Sequence, residues 1–309
     1  MTPFPLLQLP FVAMRHVLFM MTPFGLIDLS LISSRIKRIV SNVGPRFEGN
    51  LVPGESLFIT EEIGGWTYKM TSDESKDGKV TFEGFNGYQC LKYSKDPIEG
   101  WKKWYKYLKE VLRCEFYAVT FDLTRPGIRD LVDWLKGQQE VFESITIQSK
   151  EECDDDLKYV MEAFPNVLDL EILVSRYKKN FKMEIPVNLS SLTIYNAKFI
   201  DNDQFLRLNA EDIGFGEHCL TNEEINRFVR GWISMETHVG LRTLKLRMEN
   251  RKRFNGMLTG IPLEQVTDVA ILKKREDYLF GDMFSITRCD GKRCLVYIFS
   301  GSSLCMEVC

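Results

Sequence analysis

From Phe4 to Ile32 apolar residues dominate, and only Arg15 and Asp28 carry a formal charge. The pattern predicts helices. Pro10 suits a first helical position, and Phe11, Met14, Val17, Leu18 and Met21 follow it at helical spacing. Thr22 suits the cap of a second helix with Pro23 at its first position, carrying Phe24, Ile27 and Leu31. A third, more polar helix begins at Ser30 or Ser33 and runs through Arg35, Lys37, Arg38 and Val40. Three short helices cannot bury this much apolar surface among themselves. The excess must lie against the rest of the chain or against another protein. Pro10, Arg15, His16 and Pro23 break the run, which argues against a membrane span, and Met1-Thr2-Pro3 is not the basic start of a signal peptide.

Beyond this stretch, residues 41–55 carry Gly44-Pro45, Gly49, Pro53 and Gly54 and read as a connector. Ser56–Thr60, Trp66–Met70 and Val80–Glu83 alternate like strands, with Gly64-Gly65 between the first two, and predict a small antiparallel meander. Pro97–Arg113 predicts a helix with Trp101, Trp104, Tyr105, Leu108 and Leu112 on its buried side. From Phe116 an apolar-x-apolar pattern recurs at Val119, Ile145, Leu170, Leu192, Ile213, Leu244 and Val269, at intervals of 21 to 31 residues. Helical segments fall between these strands at Ile128–Leu135, Asp155–Phe164, Asp203–Leu208 and Asn222–Ser234. The last has a capping box of Thr221 with Glu224. The fold class expected is therefore α/β: a three-helix unit, then an irregular solenoid similar to leucine-rich repeats but lacking their asparagine ladder, closed by a β-hairpin. The hairpin is Phe284–Phe299, turning at Asp290-Gly291. The domains so drawn are 1–44, a connecting and capping segment 45–115, and 116–309.

Two resemblances sharpen this picture. Phe4-Pro5-Leu6-Leu7, Leu9-Pro10, Val17-Leu18, Met21 with Pro23, Leu26, Leu29-Ser30 and Ser33-Ser34-Arg35 before Ile39 occur in an order that resembles an F-box. The acidic residues common after Leu-Pro are replaced by Phe11-Val12-Ala13, a habit similar to that of F-box families expanded in nematodes. The resemblance implies docking onto the Skp adaptor of a cullin–RING ubiquitin ligase, through Leu9, Pro10, Val17, Leu18, Met21, Leu26, Leu29 and Ile32. The residues alone leave open a helical lid on the downstream domain. Further on, Thr221-Asn222, Ile225-Asn226, Phe228, Gly231-Trp232-Ile233 and Leu241–Leu246 look like a type 2 F-box-associated domain. Arg288-x-Asp290-Gly291 is similar to that family's closing segment, although Cys294 stands where a small apolar residue is usual. Together these imply an SCF substrate receptor that holds a target on its C-terminal domain.

Composition narrows the alternatives. Forty Lys and Arg against 43 Asp and Glu give a formal charge of −3, which offers no general pull toward nucleic acid or anionic membrane. Arg251-Lys252-Arg253 and Lys273-Lys274-Arg275 are short enough to read as solvated surface. Eight scattered cysteines with no secretory signal predict free thiols and a cytoplasmic or nuclear protein. The spacings Cys289-x4-Cys294 and Cys305-x3-Cys309 are not those of a zinc site. Gly214-Phe215-Gly216 begins a dinucleotide fingerprint that Cys219 ends, and the acidic run Glu151–Asp156 marks a helix start. No nucleophile, P-loop or metal motif emerges. The expectation is a non-enzyme without catalytic residues, cofactor or metal, whose partners are the adaptor and an unknown target. The residues between the apolar pairs should share one open face: Thr120, Thr146, Glu171, Thr193 and Lys245, with Tyr195 and Arg247 beside them, form the expected target surface. The runner-up is an F-box-bearing scaffold that delivers nothing for ubiquitination. A hydrolase with a helical lid comes third.

Overall fold

The structure, a computed structural model, describes residues 6–60, 65–84, 87–250, 252–273, 279–300 and 302–309. The chain is mixed α/β, with ten α-helices and fifteen strands among those residues. It divides into two units, Met1–Phe121 and Asp122–Cys309. No helix of the described residues is long and apolar enough to cross a membrane.

In the first unit α2 (Pro23–Leu31) begins at its expected cap Thr22 and α3 (Ser34–Val43) at Ser33, one of its two expected starts, whereas α1 (Phe11–Phe19) begins one residue after Pro10, which was expected inside it. Thr22 Oγ1 accepts the Gly25 N–H at 3.1 Å and Ser33 Oγ accepts the Ile36 N–H at 3.3 Å. Phe4 and Pro5 lie outside the described residues. A sheet of β1 (Glu48–Val52), β2 (Ser56–Thr60), β3 (Gly65–Thr71), β4 (Val80–Phe82), β5 (Tyr88–Tyr93) and β6 (Glu115–Asp122) follows, in the order β6-β1-β2-β3-β5-β4. Gly64, half of the expected turn, lies outside the described residues.

The antiparallel meander expected here is corrected in two ways. First, β3 pairs with β5 in parallel, so the chain crosses over between them instead of turning back. Second, β1, which reads as connector, pairs antiparallel with β2 and parallel with β6. Gly49 is there for close packing, since a Cβ would stand 2.2 Å from the Phe58 carbonyl and 3.0 Å from the Phe116 ring. Across this sheet α4 (Pro97–Val111) lays Trp101, Tyr105, Leu108 and Val111 inward, capped by Asp96, and Trp101 Nε1 donates to the Ser56 carbonyl at 3.0 Å.

In the second unit five parallel neighbours, β7 (Ser144–Ser149), β8 (Asp169–Val174), β9 (Ser191–Asn196), β10 (Asp212–Glu217) and β11 (Thr243–Arg247), form half of the sheet. Beyond β11 the sheet turns antiparallel through β15 (Ser303–Val308), β14 (Arg293–Phe299), β13 (Leu279–Thr287) and β12 (Glu264–Gln265). The connecting helices are α5 (Ile128–Lys136), α6 (Asp154–Ala163), α7 (Asn202–Arg207) and α8 (Asn222–Ile233), each within a residue or two of its expected place. The capping box at α8 is formed: the Glu224 N–H reaches Thr221 Oγ1 at 3.2 Å, and Glu224 Oε2 accepts the Thr221 N–H at 2.7 Å. The acidic run enters α6, where Asp155 pairs with Lys178 and Asp156 with Arg129.

One expected strand is a helix. After α9 (Lys252–Met257), Val269-Ala270-Ile271 opens α10 (Val269–Lys273) because Asp268 caps it, accepting the Ala270 N–H at 2.8 Å. Three residues of apolar alternation fit a helical turn as well as a strand. Ile271 and Leu272 of α10 pack on Val266, Met283, Leu295 and Tyr297. The hairpin of β13 and β14 turns at 288–292, with Gly291 at φ 90°. Its Arg288 is buried, forks onto Asp290 at 2.9 and 2.7 Å, reaches the Val239 carbonyl at 2.7 Å, and lies over the Trp232 ring. This pairing holds the Asp290 carboxyl well below the usual carboxylate range.

His238 sits between Phe205 and Phe228, with ring centroids 5.6 and 4.9 Å away, and Nδ1 is 2.6 Å from Thr237 Oγ1. Burial lowers its pKa to about 4. The unfolded chain binds this proton as pH falls through about 6.5, whereas the folded chain resists until about 4. The contribution to stability is therefore complete above the upper value and is lost as pH falls through that window, by roughly 3 kcal/mol at most. Asn tolerates the positive φ of 48° found at this position. His238→Asn should flatten the difference between urea midpoints measured at pH 7 and pH 4.5, while the native chain shows a clear loss at the lower pH.

Candidate functional site

Two surfaces stand out, one in each unit. On the N-terminal helices the apolar residues divide between an inner and an outer face. Inward, Leu18, Phe24, Leu26, Ile27 and Val40 are buried. Phe24 meets Trp66 and Tyr68 of β3 at ring centroid distances of 4.9 and 4.7 Å, and Ser30 Oγ lies 2.9 Å from the Tyr107 hydroxyl of α4. Lys37 pairs with Glu110 at 2.7 Å. The helices are thus docked onto the sheet and helix of their own unit.

Outward, Phe11 is 61% exposed, Met20 85% and Ile32 69%, and Val12, Phe19 and Leu31 are at least half exposed. Of the residues expected to meet an adaptor, Pro10 and Ile32 are exposed, while Leu9, Val17, Met21 and Leu29 are half-buried. Leu18 and Leu26 have no surface in this chain. The exposed Phe11, Val12, Phe19, Met20 and Leu31 were not among the expected contacts. Phe11, Arg15 and Phe19 follow one another at four-residue steps, so helical spacing alone could have placed both rings on a common stripe. Arg15 lies over the Phe19 ring at 5.0 Å.

The second surface is the sheet face opposite α5 to α8. The register aligns Ile145, Leu170, Leu192, Ile213 and Leu244 across the five strands, and Ile147, Ile172, Ile194, Phe215 and Leu246 two residues on; all ten are buried. Side chains alternate between faces, so the residues between these rows must point the other way. They are Thr146, Glu171, Thr193, Gly214 and Lys245 in one aligned row. Six of the seven residues expected at a target surface, Thr146, Glu171, Thr193, Tyr195, Lys245 and Arg247, are thereby brought to one face. Thr120 is on β6 of the first unit.

Thr146 Oγ1 donates to Glu171 Oε2 at 3.2 Å, and Lys245 stands over the Phe299 ring at 4.7 Å. Tyr195 is 45% exposed. A cavity of about 740 Å³ at the strand ends is bordered by Gln148, Leu173 and Tyr195. A second, of about 340 Å³, is lined by Lys198, Glu217, His218, Arg247, Glu249 and Arg253. Sequence reasoning missed the second cavity because its residues come from the segment after β9, from the ends of β10 and β11 with the residues that follow them, and from α9.

The groups this face presents are hydroxyls, carboxylates and cations. Among the described residues no group of three His, Cys, Asp or Glu is placed to hold a metal ion. Burial pushes the Cys114 thiol up to about 12 and raises that of Cys90. His218 and Cys219 are sequence neighbours without a hydrogen bond between them, and burial lowers the imidazole's affinity for a proton. Of the basic clusters, Lys273 is exposed, and Arg251, Lys274 and Arg275 lie outside the described residues.

Residues 180–246 match a family described as F-box associated. The match covers β9 to β11 with α7 and α8, so an F-box-associated domain in the second unit is supported. The N-terminal helices and the Arg288 hairpin lie outside the matched span. No curated protein and no solved structure matches the chain.

The two faces of the N-terminal helices should respond differently to charge. Leu18→Asp buries a carboxylate in the core and should cost about 3 kcal/mol or more. Ile32→Asp and Met20→Asp should each stay within about 1 kcal/mol of the native chain, as surface changes do. Chemical denaturation of the three variants checks this; equal losses at all three positions would remove the outer face as a free surface.

Proposed function

We propose that this chain is the substrate-recognition subunit of an SCF-type E3 ubiquitin ligase. Its N-terminal helices act as an F-box that binds the Skp adaptor, and its second unit, an irregular leucine-rich-repeat-like solenoid, holds the target. The observation that carries this is the pairing of an apolar outer face on the first two of three short helices with an F-box-associated match further along the chain. Phe11, Val12, Phe19, Met20, Leu31 and Ile32 leave more apolar surface exposed than single scattered residues would. Leu9, Pro10, Val17, Met21, Leu29 and Ile32, drawn from the resemblance, border or belong to this face. Leu18 and Leu26 shape it from beneath.

In this role the chain performs no chemistry. Its contribution is to raise the effective concentration of the target at the ligase. The same outer face also suits an interaction scaffold that binds the adaptor and delivers nothing, and only ubiquitination of a bound protein separates the two.

The test is capture of the full chain by a purified Skp adaptor. Phe11→Asp with Ile32→Asp would force carboxylates into a contact that must lose its water, at a cost of several kcal/mol. Native capture, lost in a double variant that keeps its denaturation midpoint, is the expected outcome. Absence of capture by a folded native chain would overturn the proposal and leave the helices as a lid with an apolar outer surface.

A further inference from the structure

The strand β4 is the outer edge of its sheet, with β5 beside it on one side and no strand on the other among the described residues. The Lys79 carbonyl accepts the Leu91 N–H at 3.0 Å, the Glu83 N–H donates to the Gly87 carbonyl at 2.8 Å, and Thr81 stands opposite Gln89 between them. Residues 79, 81 and 83 therefore direct their backbone groups to β5. Alternate residues of an antiparallel ladder bond to opposite sides, so the N–H and C=O of Val80 and Phe82 point away from the sheet. An open edge of this kind is a template for another strand.

The side chains alternate with the same period. Val80, opposite Cys90, and Phe82, opposite Tyr88, share one face. There the Phe82 ring lies 5.2 Å from that of Tyr88, which stacks on Trp66 at 4.8 Å. Val80 is 53% exposed, Phe82 66% and Tyr88 43%, so this apolar row runs uncovered to the edge. On the other face stand Lys79, Thr81 and Glu83, all exposed. Neither Lys79 nor Glu83 has an ion pair among the described residues.

The edge is palindromic in charge and in shape. Two residues before Thr81 stands a cation and two after it an anion, with an apolar residue between on each side. Turned about a two-fold axis at Thr81, a second β4 sets its Phe82 opposite Val80 and its Val80 opposite Phe82. These are the pairs whose free backbone groups can exchange hydrogen bonds. The same turn sets Glu83 of each copy opposite Lys79 of the other, at the positions where side chains approach most closely, and Thr81 opposite Thr81. A register shifted by two residues keeps the hydrogen-bonding pattern but puts Lys79 or Glu83 opposite Thr81, so charge selects the symmetric pairing.

We propose that β4 pairs antiparallel with β4 of a second copy of this chain. The pairing occupies both β4 edges, so the assembly closes at two copies. A short strand and the rings beside it make a small interface, and the dimer is accordingly weak and concentration-dependent. It uses neither the outer face of α1 and α2 nor the open face of the second unit, and it stands whether or not those bind adaptor and target.

Sedimentation velocity of the full chain over a concentration series tests this. The native chain should pass reversibly from monomer to dimer. Lys79→Glu alone and Glu83→Lys alone should each weaken the dimer about tenfold, because like charges then stand opposite one another. An equimolar mixture of those two variants should regain native association, since each supplies the charge that the other lacks. Val80→Pro removes an outward N–H without touching the pairing with β5, and should weaken the dimer as strongly at an unchanged melting temperature. Phe11→Asp with Ile32→Asp should leave it intact. A native chain that stays monomeric at millimolar concentration would overturn the proposal and leave Lys79 and Glu83 as guards against edge pairing. Association that survives Lys79→Glu, that the mixture fails to regain, or that is lost in Phe11→Asp with Ile32→Asp would overturn it as well.

Discussion

A one-residue slip in the register of β7 to β11 would carry Ile145, Leu170, Leu192, Ile213 and Leu244 from the helix-covered side of the sheet to water. Each fully buried Leu, Ile or Phe side chain is worth roughly 1.5–3 kcal/mol, so the ten in these two rows hold the register against any gain the slip could bring. The position of every residue on the opposite face follows from this constraint. Thr193 and Lys245 are neighbours of Gly214 because Leu192, Leu244 and Ile213 must be neighbours on the other side. The polar face is therefore rigid although little packs on it. Substitutions there should cost little stability.

The first unit answers a different constraint. Two helices, α1 and α2, with apolar residues on nearly all sides can anchor only one side to their own chain. Phe24, seated against Trp66 and Tyr68, and Ser30, bonded to both the Ile27 carbonyl and Tyr107, fix which side that is. Once α2 is fixed, α1 and the end of α2 must turn Phe11, Phe19, Met20 and Leu31 outward. The exposed apolar face is thus a consequence of the inner packing and of helix geometry, and needs no separate device to hold it open.

Much of this was legible in the sequence where local chemistry is decisive. Thr22, Ser33 and Thr221 start helices in the structure because a side-chain oxygen next to unpaired N–H groups is a local event. The apolar pairs located all five parallel strands, and with them six of the seven residues on the open face. What was illegible depends on contacts made at long range. Gly49 looks like a turn residue until Phe58 and Phe116 are seen to leave no room for a side chain. Val269 looks like strand until Asp268 is seen to cap it. The division of the N-terminal apolar residues into inner and outer sets depends on Trp66, Tyr68 and Tyr107, 40 or more residues away, and spacing alone could not supply it. The cavity lined by Lys198, Arg247 and Arg253 draws on the segment after β9, on β10, on β11 and on α9 together, so no single stretch announces it.

The two surfaces differ in the kind of association their chemistry favours. An apolar face with few hydrogen-bonding groups gains mainly from lost water contact, which is non-directional and discriminates weakly between partners of similar shape. It suits a partner that is always the same. The open face of the second unit carries hydroxyls, carboxylates, an exposed tyrosine and cations at fixed spacing, with a bare strip of backbone between them. There a mismatched partner leaves polar groups desolvated and unpaired, at about 1–3 kcal/mol each. That penalty is what makes a surface selective, and it acts only if the groups cannot rearrange to avoid it. The buried rows beneath Thr193 and Lys245 remove that freedom. Rigidity earned in the core is thereby spent as selectivity on the opposite side of the same five strands.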